Sequence, residues 1–464
     1  MRALVSVDLD DQIKWLRLAN PSDPETVASL FAALGEKARN EGKETEAVDH
    51  VRDAIKTYAA LPSASGALNN GAIAHFTLFS LTGERSDYRK GVELMEQAVA
   101  LRGHDSILLG NTAYCLLESV SLDVVGESID LRALKVAEAG DLLTFLYSDE
   151  AGYQALVERY RSHKDLARVA AYYERVLVLS PKSTHAVTGL LHVHGLSRDV
   201  KALRGLQAQL RAMEPNLADE IHSATEYFAG TKDEHLAKEC SVRIAKCEKP
   251  LAPRLKEAQP LTYAVGVALW VNANLSAWSV GMTPEADKLV TRAEEAHALR
   301  PSSGTRSCLT AALLYRFSQR EAQKDPAFAV MASRGRRSLS CASLVAAALG
   351  RSVPLRKAFL DDADCQRALQ LLREHSRAFS GSPRERDWAV FSVADPVEAE
   401  RVARAFRVSE FDRLLREIQV ALAPMSGGAV FDVFWGQQME GRDAEAREVL
   451  RKAAARGVPL PFDP

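Results

Sequence analysis

The feature that most constrains this chain is a spacing that it repeats. The stretch from Gly42 to Pro62, GKETEAVDHVRDAIKTYAALP, and the stretch from Gly441 to Pro461, GRDAEAREVLRKAAARGVPLP, carry Gly, Ala, Ala and Pro at the same offsets of 0, 5, 12 and 20 residues. Prolines 181, 215 and 250 follow one another at steps of 34 and 35 residues. Recurrence at one period indicates stacked copies of a small structural unit.

The first of these units is predicted to be a pair of helices. Asp23 is placed to cap a helix over 24–40, Gly42 breaks that helix, and a second helix covers 44–60 before Pro62 prevents its continuation. The second helix has an apolar face at helical spacing, formed by Ala47, Val51, Ala54 and Tyr58. Such a hairpin cannot bury both of its apolar faces alone, so we expect the units to stack.

These residues resemble the tetratricopeptide repeat, a helix-turn-helix unit of about 34 residues with Leu-Gly in its first helix, Gly at its turn, Ala twice in its second helix and Pro at its end. One copy matches at Leu34, Gly35, Gly42, Ala47 and Ala54. Another copy matches at Tyr153, Leu156, Tyr160, Tyr173 and Pro181. The resemblance implies an all-α fold, a right-handed superhelical α-solenoid of tetratricopeptide-like helical hairpins, and the alternative is an irregular helical bundle.

The repeat pattern divides the chain into four predicted segments. A lead helix occupies 1–22, the repeat array covers 23–301, divergent basic helical hairpins fill 302–426, and a capping repeat with a tail covers 427–464. The capping segment is predicted because the last repeat of an array must close its apolar end.

Composition favours a cytoplasmic protein and argues against a membrane protein. The contiguous apolar runs fall far short of the ~20 residues that a spanning helix needs, and the N-terminus has no signal-peptide pattern. Six scattered cysteines suit a reducing compartment. The excess of 41 Arg over 18 Lys, with abundant Ala, suggests a GC-rich, bacterial source.

The sequence contains no common catalytic or cofactor motif. Neither HExxH, GxxxxGK[ST], GxSxG nor GxGxxG occurs, so we predict neither an enzyme nor a cofactor. His185, His192 and His194 lie within ten residues, but His194 is turned away from the other two on a helix, so no metal site is predicted.

The resemblance also implies which residues bind a partner, because in that family the first helices line a concave groove. The groove positions carried onto two successive units are Ala151, Gln154, Glu158 and Arg161, and then His185, Thr188, His192 and Gly195. This mixed polar strip suits hydrogen bonding to an extended peptide or a partner helix. A solvated face without a ligand is the alternative.

A third unit contains one residue that chaperone-binding members of the family also carry. Asn111 follows Leu109-Gly110 at the place of an Asn in their carboxylate clamp, but Ile107 stands where those members have Lys. In the first repeat, Glu36 occupies the Asn position. Recognition of chaperone C-termini is therefore not predicted.

Aromatic residues mark two further places where a partner could bind. Trp270 and Trp278 share one stripe of an apolar helix that begins near Leu261, where they form either core or an exposed anchor. Phe431 and Trp435, with Gln438, fall on groove positions of the last repeat. These aromatics could instead pack under the C-terminal tail.

The basic segment is the least ordinary feature of the chain. Residues 300–357 hold eleven Lys and Arg against two acidic residues, a net charge of +9, whereas the remainder carries 48 basic and 59 acidic residues, a net charge of −11. Arg334, Arg336 and Arg337 are predicted as a patch for an anionic partner, because guanidinium groups pair with carboxylate and phosphate. The alternative is neutralisation by Asp361, Asp362 or Asp364. Nucleic acid is disfavoured, since no aromatic residues alternate with these arginines.

The sequence favours two functional hypotheses over a third, an enzyme with an unrecognised site at Arg334 to Arg337. The first is a non-enzymatic scaffold or adaptor that binds a peptide or protein in the concave groove. The second is a regulatory sensor whose solenoid binds a small or anionic ligand or a signalling peptide. The identity of the partner and the oligomeric state stay open.

Overall fold

The computed structural model describes most of the chain. The described residues are 9–20, 22–61, 64–134, 140–197, 199–210, 212, 233–248, 253–336, 339–350, 352–378, 397–398, 401, 410–422, 427–458 and 460. Every regular element within these ranges is a helix, which confirms the prediction of an all-α chain.

The chain divides into two compact units. The first comprises Met1–Leu143 and Glu158–Val193, and the second comprises Thr144–Val157 and His194–Pro464. The first unit contains helices α1 (Leu9–Leu18), α2 (Pro24–Asn40), α3 (Glu44–Ala59), α4 (Ser65–Thr82), α5 (Arg85–Leu101), α6 (Ser106–Val125), α7 (Leu131–Leu134) and α9 (Leu166–Leu179). The division runs through helices α8 (Glu150–Arg161) and α10 (Thr184–Leu196).

The second unit is also built from helices. These are α11 (Asp233–Glu248), α12 (Pro253–Ala258), α13 (Pro260–Ser279), α14 (Ala286–Leu299), α15 (Ser303–Lys324), α16 (Pro326–Gly335), α17 (Cys341–Leu349), α18 (Val353–Asp361), α19 (Ala363–Ala378), α20 (Glu410–Leu422), α21 (Gly427–Met439) and α22 (Asp443–Ala455). Residues 200–210 are helical as well.

The predicted first hairpin is present almost residue for residue. The side chain of Asp23 accepts a hydrogen bond from the backbone N–H of Thr26 at 3.1 Å, so it caps α2 as expected. Gly42 takes the left-handed conformation, with φ of 75°, in the turn between α2 and α3. A β-carbon on Gly35 would stand 2.7 Å from Cγ2 of Val51, so the two helices approach too closely for a larger residue there.

The two stretches that share the spacing fold alike. Gly441 has φ of 76° and precedes α22, as Gly42 precedes α3. The paired alanines of both second helices are buried: Ala47, Ala54, Ala446 and Ala453. Small residues at these positions let the second helix lie close to its partner, which explains why the spacing recurs.

Helices α1 to α6 pack in chain order, each against the next. Helix α9 then packs on α6. Helix α8 also reaches α6, because the hydroxyl of Tyr160 on α8 forms a hydrogen bond with the hydroxyl of Ser121 on α6. Nearest-neighbour packing of this kind needs no central helix.

The second unit is organised differently, around one long helix. Helix α15 contacts α13, α14, α16, α17 and α19. It begins at a capping box in which Ser302 and Thr305 exchange hydrogen bonds between side chain and backbone. Tyr315 and Phe317 on α15 are fully buried, and Phe317 meets Phe359 edge to face with ring centroids 5.6 Å apart. Helix α15 therefore carries much of the core of this unit.

Helix α6 belongs to a segment that combines length with an apolar composition. Over Ser106–Ser128 it is the one described segment that is long and apolar enough to cross a membrane, judged by length and composition alone. Of its most apolar stretch, 67% is buried inside the structure. The sequence-based expectation concerned contiguous apolar runs, and in this segment the apolar residues are interspersed with small polar ones.

The aromatic residues of two helices occupy the core. Trp270 and Trp278 are buried, so they are core residues and not an exposed anchor. In α21, Phe431 is buried and stacks on Trp435. The Trp435 ring lies against Gly350, at the end of α17, which gives these aromatics a packing role.

Candidate binding surface

Helix α6 is fixed at both ends. Its N-terminus is capped by Asp105, whose carboxylate accepts hydrogen bonds of 3.1 Å from the backbone N–H groups of Ile107 and Leu108. At its C-terminus, the guanidinium of Arg85 donates to the carbonyl of Leu122 at 2.8 Å and to the carbonyl of Gly126. A cation at this end also complements the helix dipole. Side chains on α6 are therefore held on a rigid support.

Helix α10 reaches α6 through a glycine. A β-carbon on Gly110 would stand 2.9 Å from Cδ2 of His185, so the imidazole lies directly against the backbone of α6. The same imidazole meets the ring of Tyr173 edge to face at 5.7 Å. Tyr173 in turn covers Gly189, where a β-carbon would stand 2.1 Å from the ring. These two glycines allow α6, α9 and α10 to meet closely.

This junction leaves one face of α6 and one face of α10 at the surface. On α6, Ile107 is 75% exposed and Tyr114 is 42% exposed, and the exposed Asn111 lies between them at helical spacing. On α10, His185 and His192 are exposed, and Thr188 lies between them with its hydroxyl donating to the carbonyl of Thr184 at 2.8 Å. We call the surface formed by Ile107, Asn111, Tyr114, His185, Thr188 and His192 the α6–α10 face.

The α6–α10 face combines apolar area with hydrogen-bonding groups and carries no Lys, Arg, Asp or Glu. Ile107 and Tyr114 place two large side chains with apolar area on this surface, two helical turns apart. The carboxamide of Asn111 offers both donors and an acceptor, and each imidazole offers one of each when neutral. Such a surface can bind polypeptide backbone and apolar side chains together.

The predicted groove residues are distributed over both units. Three of the six, His185, Thr188 and His192, belong to the α6–α10 face. Glu158 and Arg161 on α8 are exposed and pair with each other at 3.6 Å, so their charges largely compensate. Gln154 belongs to the second unit, where its side-chain amide donates to Glu150 at 2.5 Å.

Tyr114 is a surface residue that the sequence analysis missed, and Ile107 was considered only as a departure from a clamp motif. Both lie in the unit of Leu109-Gly110, at the offsets that identified Thr188 and Gly195 in the later unit. Applying the groove offsets to this unit as well would have identified them.

The basic segment is neutralised in part. Arg316 and Arg320 on α15 both bond to Asp364, through Arg316 Nε at 2.8 Å and Arg320 Nη1 at 2.7 Å. Arg316 also reaches Asp287, and Arg320 reaches Asp362 at 2.6 Å. Burial opposes ionisation of Asp364, but the two guanidinium groups outweigh it and hold the pKa of this carboxyl below its ordinary value.

The predicted arginine patch is not neutralised by these carboxylates. Arg334 is exposed and Arg336 is half-buried, and within the described part of the chain no carboxylate lies within 4.0 Å of either guanidinium. Asp362 and Asp364 are engaged by α15 instead. Arg337 lies outside the described residues.

The described residues offer no obvious centre for chemistry. No group of three His, Cys, Asp or Glu in the described ranges could hold a metal ion. Burial raises the pKa of the thiols of Cys115, Cys308 and Cys341 to about 12, which keeps them protonated and unreactive near neutral pH.

Comparison with known proteins adds no family to this description, since neither a protein-family model nor a curated protein matches the chain.

Proposed function

We propose that this protein is a cytoplasmic, non-enzymatic scaffold or adaptor, and that it binds a peptide or protein segment on the α6–α10 face. The observation that carries the proposal is the exposure of Ile107 and Tyr114 beside Asn111 and the two imidazoles, on helices locked together through Gly110. A rigid surface of this composition loses little entropy when it binds an extended chain.

The proposed architecture is a tetratricopeptide-like α-solenoid. The chain-order packing of α1 to α6 and the matching hairpins that turn at Gly42 and Gly441 support it. In such an array, first helices share one side, and α6 and α10 would both be first helices. The α6–α10 face would then be part of the concave groove.

Affinity capture with matched variants tests the proposal. We expect Asn111→Ala with His192→Ala to reduce capture of the principal partners about tenfold, because each truncation removes hydrogen bonds worth about 0.5–1.5 kcal/mol. The control is Asp49→Ala with Gln97→Ala, which truncates two exposed side chains on α3 and α5. Capture would be quantified by mass spectrometry against the wild-type chain.

The control variant separates loss of this surface from a general effect of truncating exposed side chains. Partners retained by the control and lost by the face variant support this surface. Equal capture by both variants would exclude the α6–α10 face as the binding surface, whatever partner is found.

A second candidate function is a regulatory sensor for an anionic ligand or signalling peptide. One observation in the second unit favours it: the half-buried guanidinium of Arg336 has no carboxylate partner among the described residues. A sensor would respond to an anion at this position, whereas a scaffold would not need one.

A further inference from the structure

Arg336 has a guanidinium group of which only one edge reaches the surface. The residue follows the last residue of α16, and its backbone N–H donates to the carbonyl of Ala332 at 3.0 Å. Its Nε is buried and has no hydrogen-bond partner, whereas the two terminal nitrogens, Nη1 and Nη2, are not buried. A buried donor without an acceptor costs about 1–3 kcal/mol, so an arginine in this position requires an explanation.

A glycine turn supports this guanidinium group. Gly281 takes the left-handed conformation, with φ of 94°, in the turn after α13. A β-carbon on it would stand 3.7 Å from Nη2 of Arg336 and 3.9 Å from both Cζ and Nη1. One side of the guanidinium group therefore lies over the turn, which fixes the orientation of the terminal nitrogens.

Among the described residues, Arg336 lacks the ion pairs that two other arginines of the basic segment, Arg316 and Arg320, form. Arg316 and Arg320 each bond to two carboxylates. In the described ranges, neither Arg334 nor Arg336 has a carboxylate within 4.0 Å. The C-terminal end of α16 offsets part of the positive charge, but it accepts no hydrogen bond from the Arg336 side chain among the described residues. A half-buried cation without a counter-ion is energetically unfavourable.

We propose that Arg336, with Arg334 two residues before it, binds the oxyanions of an acidic or phosphorylated peptide segment. The two terminal nitrogens of Arg336 form a fork that can donate two parallel hydrogen bonds to one carboxylate or phosphate group. Arg334 adds a second, exposed cation. An exposed ion pair contributes at most about 1 kcal/mol, so a peptide with several oxyanions is bound better than a single free anion.

This site is independent of the α6–α10 face, because its residues belong to the second unit. Substitutions at Arg334 and Arg336 leave the proposed scaffold surface unchanged. Loss of one binding activity can therefore be separated from loss of the other.

Fluorescence anisotropy with two labelled peptides tests the proposal on the full chain. The probes are a short peptide of alternating Glu and Ser, and the same peptide with its serines phosphorylated. We expect Arg334→Gln with Arg336→Gln to weaken binding of the phosphorylated peptide about tenfold, which corresponds to the loss of two ion pairs. The dependence of affinity on salt should also become shallower.

The control changes the same number of charges in the same basic segment. Arg300→Gln with Lys357→Gln removes two exposed cations that have no ion pair in the described structure, and we expect an effect below about twofold. Equal losses in the two double variants would show attraction by net charge and overturn the site. Undiminished binding in the Arg334 and Arg336 variant would overturn it as well.

A conservative variant tests the site if the double variant fails to fold. Arg336→Lys keeps the charge and removes the fork, so weaker binding of the phosphorylated peptide supports the bidentate contact. Unchanged affinity in Arg336→Lys overturns it. Stronger binding of the unphosphorylated than of the phosphorylated peptide assigns the site to carboxylate, and the reverse order assigns it to phosphate.

Discussion

The two units of this protein bury their cores in different ways. In the first unit, α1 to α6 pack pairwise in chain order, and the small buried residues Ala47 and Ala54 let α3 lie close to its neighbours. In the second unit, α15 is surrounded by five helices, and large aromatics such as Tyr315 and Phe317 fill its contacts. Helices therefore pack with their chain neighbours in the first unit and around one shared helix in the second.

Local and shared packing have different consequences for stability. A substitution between two helices that are neighbours in the chain disturbs those helices and the next pair, as is known for arrays with nearest-neighbour contacts. A substitution in a helix that five others contact removes support from all of them. We therefore expect perturbations to spread further in the second unit than in the first.

The largest effect is expected at Phe317. Its side chain is fully buried against Phe359, so Phe317→Ala should lower the free energy of unfolding by about 3–5 kcal/mol. Backbone amide hydrogens of this variant should exchange faster than those of the wild type in all helices that contact α15. Val330→Ala, at an exposed position on α16, is the control. If faster exchange is confined to α15 and α18, shared packing is the wrong description.

A smaller effect is expected from overpacking the first hairpin. Ala54 is fully buried on α3, so Ala54→Trp should destabilise the protein by about 1–3 kcal/mol. Faster hydrogen exchange should be limited to α2, α3 and α4, which is the local response. Ala59→Trp places the same side chain at an exposed position of the same helix and should have little effect. Unchanged urea and thermal midpoints in Ala54→Trp would refute the close contact.

For the ion pairs that attach α19 to α15, we expect a moderate effect on stability that depends on pH. The pKa of Asp364 is lowered in the folded state. The contribution of its ionised carboxylate to the free energy of unfolding is therefore fully present well above the unfolded-chain pKa of about 3.9. That contribution is lost as pH falls through the lower folded-state pKa.

The corresponding substitution is Asp364→Asn. Because Asp364 is buried while its arginine partners are partly exposed, we expect a loss of about 1–2 kcal/mol at neutral pH and a weaker acid dependence of the unfolding midpoint. Asp361→Asn, at an exposed position without an ion pair in the described structure, is the matched control. Identical acid unfolding curves for both variants would contradict the assignment.

The smallest effect on stability is expected at the α6–α10 face. Asn111 and His192 are exposed, so their replacement by Ala should change the free energy of unfolding by less than about 0.5 kcal/mol. Urea unfolding measures this directly. A larger loss would mean that this surface contributes to the core of the first unit, and that reduced partner capture reflects unfolding.

The hairpins could be predicted from the sequence because their signals are local. A cap at Asp23, a left-handed turn at Gly42 and the small residues of α3 each act within one turn or one helix pair, so spacing alone identifies them. The central position of α15 could not be predicted, because it depends on which helices meet across long stretches of chain. Its 22 residues carry no mark that distinguishes a core helix with several neighbours from a helix with two.

The candidate site could be predicted only in part, because the exposure of its residues depends on contacts between helices. His185 and His192 were predicted from the groove positions that the tetratricopeptide resemblance implies, whereas those positions were not applied to the helix of Tyr114, whose exposure depends on its neighbours. The sequence by itself determined the helical class, the turns, and the clustering of arginines in one segment. The fate of each arginine depends on packing, because ion pairs form only between side chains that packing brings within a few ångströms: Arg316 and Arg320 have carboxylate partners, whereas Arg334 and Arg336 have none among the described residues.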